Sequence, residues 1–289
     1  MAQRSVLLSE GSCVRARSKK NYEVSSVRKA LQILCSFSVQ QPHMSLSQLS
    51  RLLHMPKSTT HNLLRTLEQS EFVRQDGQDK LYRLGSRVCE LAALFSHSTD
   101  VIANILPHLR RLAGQTGETA KLGLLSGGRV LVVAAVESSY QLHTRGDVGS
   151  YWPLHSTGLG KAILASLSPL EVSMVIGRHG LAQLTDRTII SRRELKRCLG
   201  EIRNQGYALD CEENEHGVLC IAVPLPVHAG GAPASISISG PSIRLSPQKL
   251  RDWAPLLANT AGMIAAELPP STSGAKVRIS AHKTRAPVV

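Results

Sequence analysis

The sequence predicts an α+β protein in two folded parts: a helical block closed by a β-hairpin, then a longer part built on an antiparallel sheet flanked by helices. Three observations carry this. Apolar residues recur at helical spacing through "SSVRKALQILCSF", "MSLSQLSRLLHM" and "STTHNLLRTLEQ", and an Asp76-Gly77 turn between alternating runs follows them. Beyond residue 117 the rhythm changes to strands joined by glycine turns, at Gly127-Gly128 and around "HAGGA". At 289 residues and 42% apolar the chain can build about two domains with ordinary cores, and with only 3% aromatic residues those cores are aliphatic.

In the first helix Val27, Ala30, Leu31, Leu34 and Phe37 share one face. The second opens on a Ser45/Gln48 capping box and turns Leu46, Leu49, Leu52 and Leu53 inward. Met55-Pro56 then breaks the chain, with Pro56 suited to the first position of the third helix. That helix turns Leu63, Leu64 and Leu67 inward, and the hairpin alternates through Phe72, Val73, Leu81, Tyr82 and Leu84. Residues 23–85 are expected to form this block, and 86–112 a linker helix. Within the second part, 113–268, "TAKLGLLSGGRVLVVAAVES" reads as strand, turn and strand. "SRRELKRCLGEIRNQG" reads as a helix with a Ser191/Glu194 capping box and a stop at Gly206. "VLCIAVPLPVHAGGAPASISISG" gives two more strands, and a helix begun by Ser246-Pro247 closes the domain. Residues 1–22 and 269–289 are basic, polar and aperiodic, and are expected to be disordered tails.

Charge is unevenly placed. The net charge is +13, yet residues 1–86 hold 13 Lys/Arg against six Asp/Glu, while the long middle is nearly neutral. An anionic partner for the first part follows. The six cysteines form no CxxC pair and stand at no metal-ligand spacing, so they read as separate reduced thiols, with no metal and no cofactor expected. No run approaches the roughly 20 apolar residues of a membrane span, and the N-terminal apolar stretch is too short for a signal peptide. A cytoplasmic location is expected.

Two helices joined by a short turn and followed by a hairpin form a winged helix-turn-helix, whose second helix enters the DNA major groove. Its positive N-terminus carries Lys57, Ser58 and Thr59, suited to phosphates. Thr60, His61, Asn62 and Arg65 follow as candidates for base edges. In the hairpin, Arg74, Lys80 and Arg83 can neutralise neighbouring phosphates.

Three stretches of the second part bear on chemistry. "YWPLHSTGLGKAILA" lacks the residues of a nucleotide phosphate loop, with His155 and Ala162 at two of its key positions. It still puts small residues and free backbone N–H groups at a helix start, which suits a carboxylate. "GYALDCEENEHGVLCIAVPL" gathers Asp210, Glu212, Glu213 and Glu215 around a loop, read as solvated or structural charge rather than a metal site. In "SISIS", Ser235, Ser237 and Ser239 share one strand face opposite Ile236 and Ile238. That stripe fits hydroxyls on a small polar ligand, and equally an exposed strand. An enzyme using Cys220 or Ser156 with His155 is disfavoured, because near neighbours in sequence rarely converge and no GxSxG elbow is present.

"VRKALQIL", "SLSQLSRLLHMPKSTTHNLLRTLEQSEFV", "YRLGSRVCELA", "PLHSTGLGKAILA" and "GYALDCEENEHGVLCIAVPL" occur in the order of the IclR family of bacterial transcriptional regulators, which the chain resembles over residues 24–268. The resemblance implies a winged helix-turn-helix, a linker helix and a C-terminal GAF-like effector-binding domain. It also implies a homodimer or homotetramer on palindromic operator DNA, more often repressing than activating, that responds to a small organic acid. The second part is similar to the branch that senses glyoxylate in repressing the allantoin pathway. There an aspartate, a cysteine and two serines touch the ligand, at positions matching Asp210, Cys220, Ser237 and Ser239. The backbone donors correspond to Thr157, Gly158 and Gly160. Such a site fits a small keto or aldehyde acid. Tyr151 and Trp152 ahead of the loop depart from that branch, as do the residues after Gly217.

Overall fold

The computed structural model describes residues 24–38, 41–98, 101–226 and 232–267. Both expected tails and the glycine turn around residue 230 lie outside the described residues. The chain divides between Ala93 and Leu94 into two compact units.

In the first unit, helices α1 (Ser25–Leu34), α2 (Leu46–Leu52) and α3 (Lys57–Gln69) precede strands β1 (Val73–Gln75) and β2 (Tyr82–Leu84), and α4 (Ser86–Ser98) begins after the hairpin. Ile33, Met44, Leu49, Met55, Leu64, Leu67, Val73 and Tyr82 form its core. The apolar face of α1 is rotated from the expected one. Ala30, Ile33, Leu34 and Phe37 pack inward, whereas Val27 and Leu31 are exposed. Leu52, expected inward on α2, is exposed as well; Ser50 is buried instead and its hydroxyl donates to the Met55 carbonyl at 2.6 Å. The Ser45/Gln48 capping box is formed. Pro56 stands at the N-cap of α3 rather than its first helical position. In the turn between α2 and α3, His54 takes a left-handed conformation (φ 51°), one that most side chains avoid.

The hairpin is antiparallel, with Val73, Arg74 and Gln75 opposite Leu84, Arg83 and Tyr82. Its turn is not the tight Asp-Gly one that the sequence suggested. Gly77 keeps a negative φ, and a longer loop is closed by the Asp76 N–H to the Leu81 carbonyl (2.8 Å) and by Asp76 Oδ1 accepting from the Gln78 N–H (2.9 Å). Two links fix this hairpin. Met44 and Tyr82 exchange backbone hydrogen bonds of 2.9 and 2.8 Å, and Glu68 on α3 accepts from the Gln75 N–H at 3.0 Å. After β2, Gly85 passes so close to Glu71 that a Cβ would lie 2.1 Å from its carbonyl oxygen.

The second unit adds α5 (Val101–Thr116), β3 (Thr119–Ser126), β4 (Arg129–Val136), β5 (Tyr151–Trp152), α6 (Gly158–Ser166), α7 (Pro169–His179) and α8 (Arg192–Gln205). Strands β6 (Ala208–Cys211), β7 (Val218–Pro224) and β8 (Ala234–Pro241) follow, then α9 (Pro247–Asp252) and α10 (Ala254–Glu267). Within the stretch expected as a linker helix, Ile105, Leu109 and Leu112 of α5 lie in this unit's core. The closing helix is two, parted at Trp253.

All strand pairs are antiparallel, in the order β5-β4-β3-β8-β7-β6. Helices cover both faces. Leu122, Ile236, Ile238 and Ile221 meet α5 and α10 on one side, and Val130, Ala208 and Ala222 meet α6 and α8 on the other. The β3–β4 turn places Gly127 and Gly128 at φ 58° and 80°, the left-handed pair that a tight hairpin requires. Ser191 caps α8 through the Glu194 N–H (3.5 Å), and Gly206 ends it at φ 83°.

Candidate functional site

Helix α3 begins without a side-chain cap, so its leading N–H groups have no side-chain acceptor. Around that end Lys57, Ser58, His61, Asn62 and Arg65 are exposed and Thr59 is half-buried. Thr60 must be withdrawn from the candidates for base edges. Four and seven residues before Leu64 and Leu67, it lies on the core side of α3, fully buried, and its hydroxyl donates to the Pro56 carbonyl at 3.0 Å.

Arg74, Lys80 and Arg83 are exposed on the hairpin. Arg74 and Arg83 stand directly opposite each other in the register. Like charges so placed repel, and an anion between them would remove that cost. Among the described residues no carboxylate pairs with Arg65, Arg74, Lys80 or Arg83. His61 of α3, Lys80 and Tyr82 of the hairpin and Ser45 of α2 line a shared concavity. A positive, uncapped helix end beside a positive hairpin can hold phosphates on both flanks of a groove.

The second unit contains a cavity of about 370 Å3 between its sheet and the start of α6. Its floor follows from strand alternation. With Ile236 and Ile238 pointing into the α5/α10 core, Ser235, Ser237 and Ser239 point the other way, and all three are buried. The exposed-strand alternative for this stripe is thereby excluded. The hydroxyls differ in their partners. Ser235 donates to the Leu159 carbonyl at 3.0 Å, and Ser239 shares a 2.9 Å hydrogen bond with Thr144. Ser237 Oγ is buried with no hydrogen bond of normal geometry among the described residues, although it lies close enough to Cys220 to favour the thiolate slightly against burial. A buried hydroxyl left unpaired costs about 1–3 kcal/mol, which a ligand oxygen would recover.

Cys220 is paired in register with both Ser239 and Asp210, and all three line the cavity. Burial, reinforced by Asp210, pushes the Cys220 thiol up to about 12, so it is a neutral donor and no nucleophile. Asp210 accepts from the Glu213 and Asn214 N–H groups at 2.8 and 3.4 Å, yet burial raises its pKa to about 7 despite the nearby Lys161. Lys161 is buried and ion-paired with Glu213 behind the cavity. Of the four clustered carboxylates, Glu212 pairs with Arg187, and Glu215 is exposed at the mouth. Among the described residues no group of three metal-ligating side chains converges.

From α6, Thr157 and Gly158 line the cavity. Thr157 caps the helix, and a Cβ at Gly158 would come 2.9 Å from Cys220 Sγ. Gly160 does not serve as expected. Its N–H is taken by Thr157 Oγ1 at 3.0 Å, and it is glycine because a Cβ would lie 2.4 Å from the Leu154 backbone.

Several lining residues were not assigned to the site from the sequence: Lys121 on β3, Trp152 on β5, noted there only as a departure, and His143, Thr144, Arg145 and Asp147 on the loop after β4. Lys121 had a signal, as a lone cation inside an otherwise apolar strand. The loop had none, because contacts distant in sequence place it. Thr144 reaches Ser239, Thr119 Oγ1 donates to the Thr144 carbonyl (2.8 Å), and Arg244 binds both Glu118 and the Leu142 carbonyl at 2.8 Å.

Comparison with known proteins covers both units. Residues 26–77 match the IclR helix-turn-helix domain, and residues 93–266 match the bacterial transcriptional regulator IclR C-terminal family. The chain is 33% identical to the HTH-type transcriptional regulator XynR of Escherichia coli over 230 residues, 80% of this chain and 91% of that protein. It is 34% identical to the E. coli HTH-type transcriptional repressor AllR over 224 residues, 78% and 83% of the two chains. Among solved structures, an IclR transcriptional regulator from Silicibacter sp. TM1040 superposes with a TM-score of 0.75 at 29% identity, covering 83% of this chain and 95% of that one. The chain therefore belongs to the IclR family: it is a DNA-binding transcriptional regulator with a C-terminal ligand-binding domain, not an enzyme.

Proposed function

We propose that this protein is a cytoplasmic repressor whose grip on operator DNA is set by a small organic acid held in the cavity of the second unit. The observation that carries the acid is the buried, unpartnered Ser237 hydroxyl, beside Ser239 and Cys220 and facing the start of α6. Hydroxyls, a neutral thiol and backbone N–H groups are all donors, and donors at a helix N-terminus suit the oxygens of a carboxylate. Thr157 and Gly158 present that end, and Asp210, near its midpoint at neutral pH, can donate to a keto or aldehyde oxygen when protonated. Resemblance to the repressor AllR supports repression over activation.

On the DNA side, His61, Asn62 and Arg65 read base edges, with Asn suited to adenine and Arg to guanine. Lys57, Ser58 and Thr59 hold phosphate at the α3 end, and Arg74, Lys80 and Arg83 hold it along the wing. A homodimer or homotetramer presents two such units to a palindromic site. The test is calorimetry of the full chain with glyoxylate and pyruvate. Saturable binding weakened by Ser237→Ala supports the reading, and unaltered affinity in that variant removes Ser237 from the site.

A further inference from the structure

Among the cavity's polar groups, Lys121 stands apart. It is only 1% exposed, yet among the described residues it makes no ion pair and no hydrogen bond. Its ammonium lies 4.4 Å from the centre of the Trp152 ring, a contact that offsets only part of the cost of burying a charge. Burial accordingly lowers its pKa; against this act the buried Cys220 thiol and the exposed carboxylates Asp147, Glu137 and Glu215. The chain also spends more on this residue than the fold asks. Its register neighbours on either side, Ala135 and Ser237, are small, and a methionine would fill the same space without the desolvation.

No other lining residue gives the interior a full positive charge. Ser237 and Cys220 are neutral donors, Arg145 is exposed, and His143 is held by the Tyr140 carbonyl (2.7 Å) and Glu137 (3.4 Å). A desolvated cation acts far more strongly on a bound anion than one at the rim.

We propose that Lys121, seated against Trp152, is the residue by which this pocket selects an ionised acid over a neutral molecule of the same shape. The assignment rests on reading the cavity as the effector site. Hydroxyls and thiol then fit the ligand's shape and carbonyl oxygen, while Lys121 supplies the counter-charge. Trp152 covers the ammonium at 4.4 Å and keeps it out of water.

The test compares glyoxylate and pyruvate with the uncharged pyruvamide, by calorimetry on the full chain. Lys121→Met and Lys121→Gln both remove the charge and keep the stem, and thermal unfolding shows that each is folded. The expected result is a loss of about tenfold or more for both acids in either variant, with pyruvamide affinity unchanged. Ser237→Ala should weaken acids and amide alike. If either charge-removing variant folds and binds the acids as tightly as the parent while Ser237→Ala is impaired, Lys121 has no such role and the cavity reading stands. If the parent chain binds neither acid, the cavity reading fails and this inference with it.

Discussion

Single residues separate reading DNA from holding the fold, although both lie on α3. Arg65 is exposed and among the described residues pairs with no carboxylate, so Arg65→Ala should weaken operator binding by about 1–3 kcal/mol if it meets guanine, as a gel-shift titration would measure. Thr60 has no such role, because it is buried on the core side of the same helix. Thr60→Ala should cost about 1 kcal/mol in denaturant unfolding, with operator affinity per folded molecule retained, since its hydroxyl serves only the Pro56 carbonyl. Asp210 gives a signature in pH. Its native pKa of about 7 exceeds the ordinary 3.8, so between those values the folded chain holds more protons than the unfolded one. Its contribution to stability is therefore greatest in acid and is lost as the pH rises through about 7. Asp210→Asn should gain on the parent chain as pH climbs from about 4 to 8; parallel unfolding midpoints across that range would contradict the assigned burial.

At the scale of elements, the sequence spoke clearly where one physical cause acted alone. The Ser45 capping box, the Gly127-Gly128 turn, the Gly206 stop and the serine–isoleucine alternation of β8 are local, and each is found as expected. It misled where packing decided between faces. Val27 and Leu31 have the right spacing to be core, yet Ile33 takes the buried position. Asp76-Gly77 has the composition of a tight turn, but Met44 pairing with Tyr82 and Glu68 holding Gln75 settle a wider loop. The cavity was half legible: its strand residues follow from alternation, whereas its loop residues depend on long-range contacts such as Arg244 with Glu118. Two predictions belong here. Gly85→Ala should destabilise the chain by about 1–3 kcal/mol in denaturant, because its methyl meets the Glu71 carbonyl just where the hairpin leaves its neighbours. Removing Arg74 or Arg83 should lower the slope of log affinity against log salt by about one phosphate contact each, whatever the DNA sequence.

On the proposed function, the two sites of the molecule share one free energy. A ligand shifts operator binding only as far as it prefers one arrangement of the chain, and the coupling is reciprocal. Burial holds the cavity's thiol in its neutral form at ordinary pH. The measurement that tests this most directly is a pair of titrations on the full chain. Operator affinity is measured with and without saturating glyoxylate or pyruvate, and acid affinity with and without operator. Acid is expected to change operator affinity, operator to change acid affinity by the same factor, and Ser237→Ala to need more acid to reach the effect. An acid that binds the cavity tightly and leaves operator affinity unaltered would contradict it.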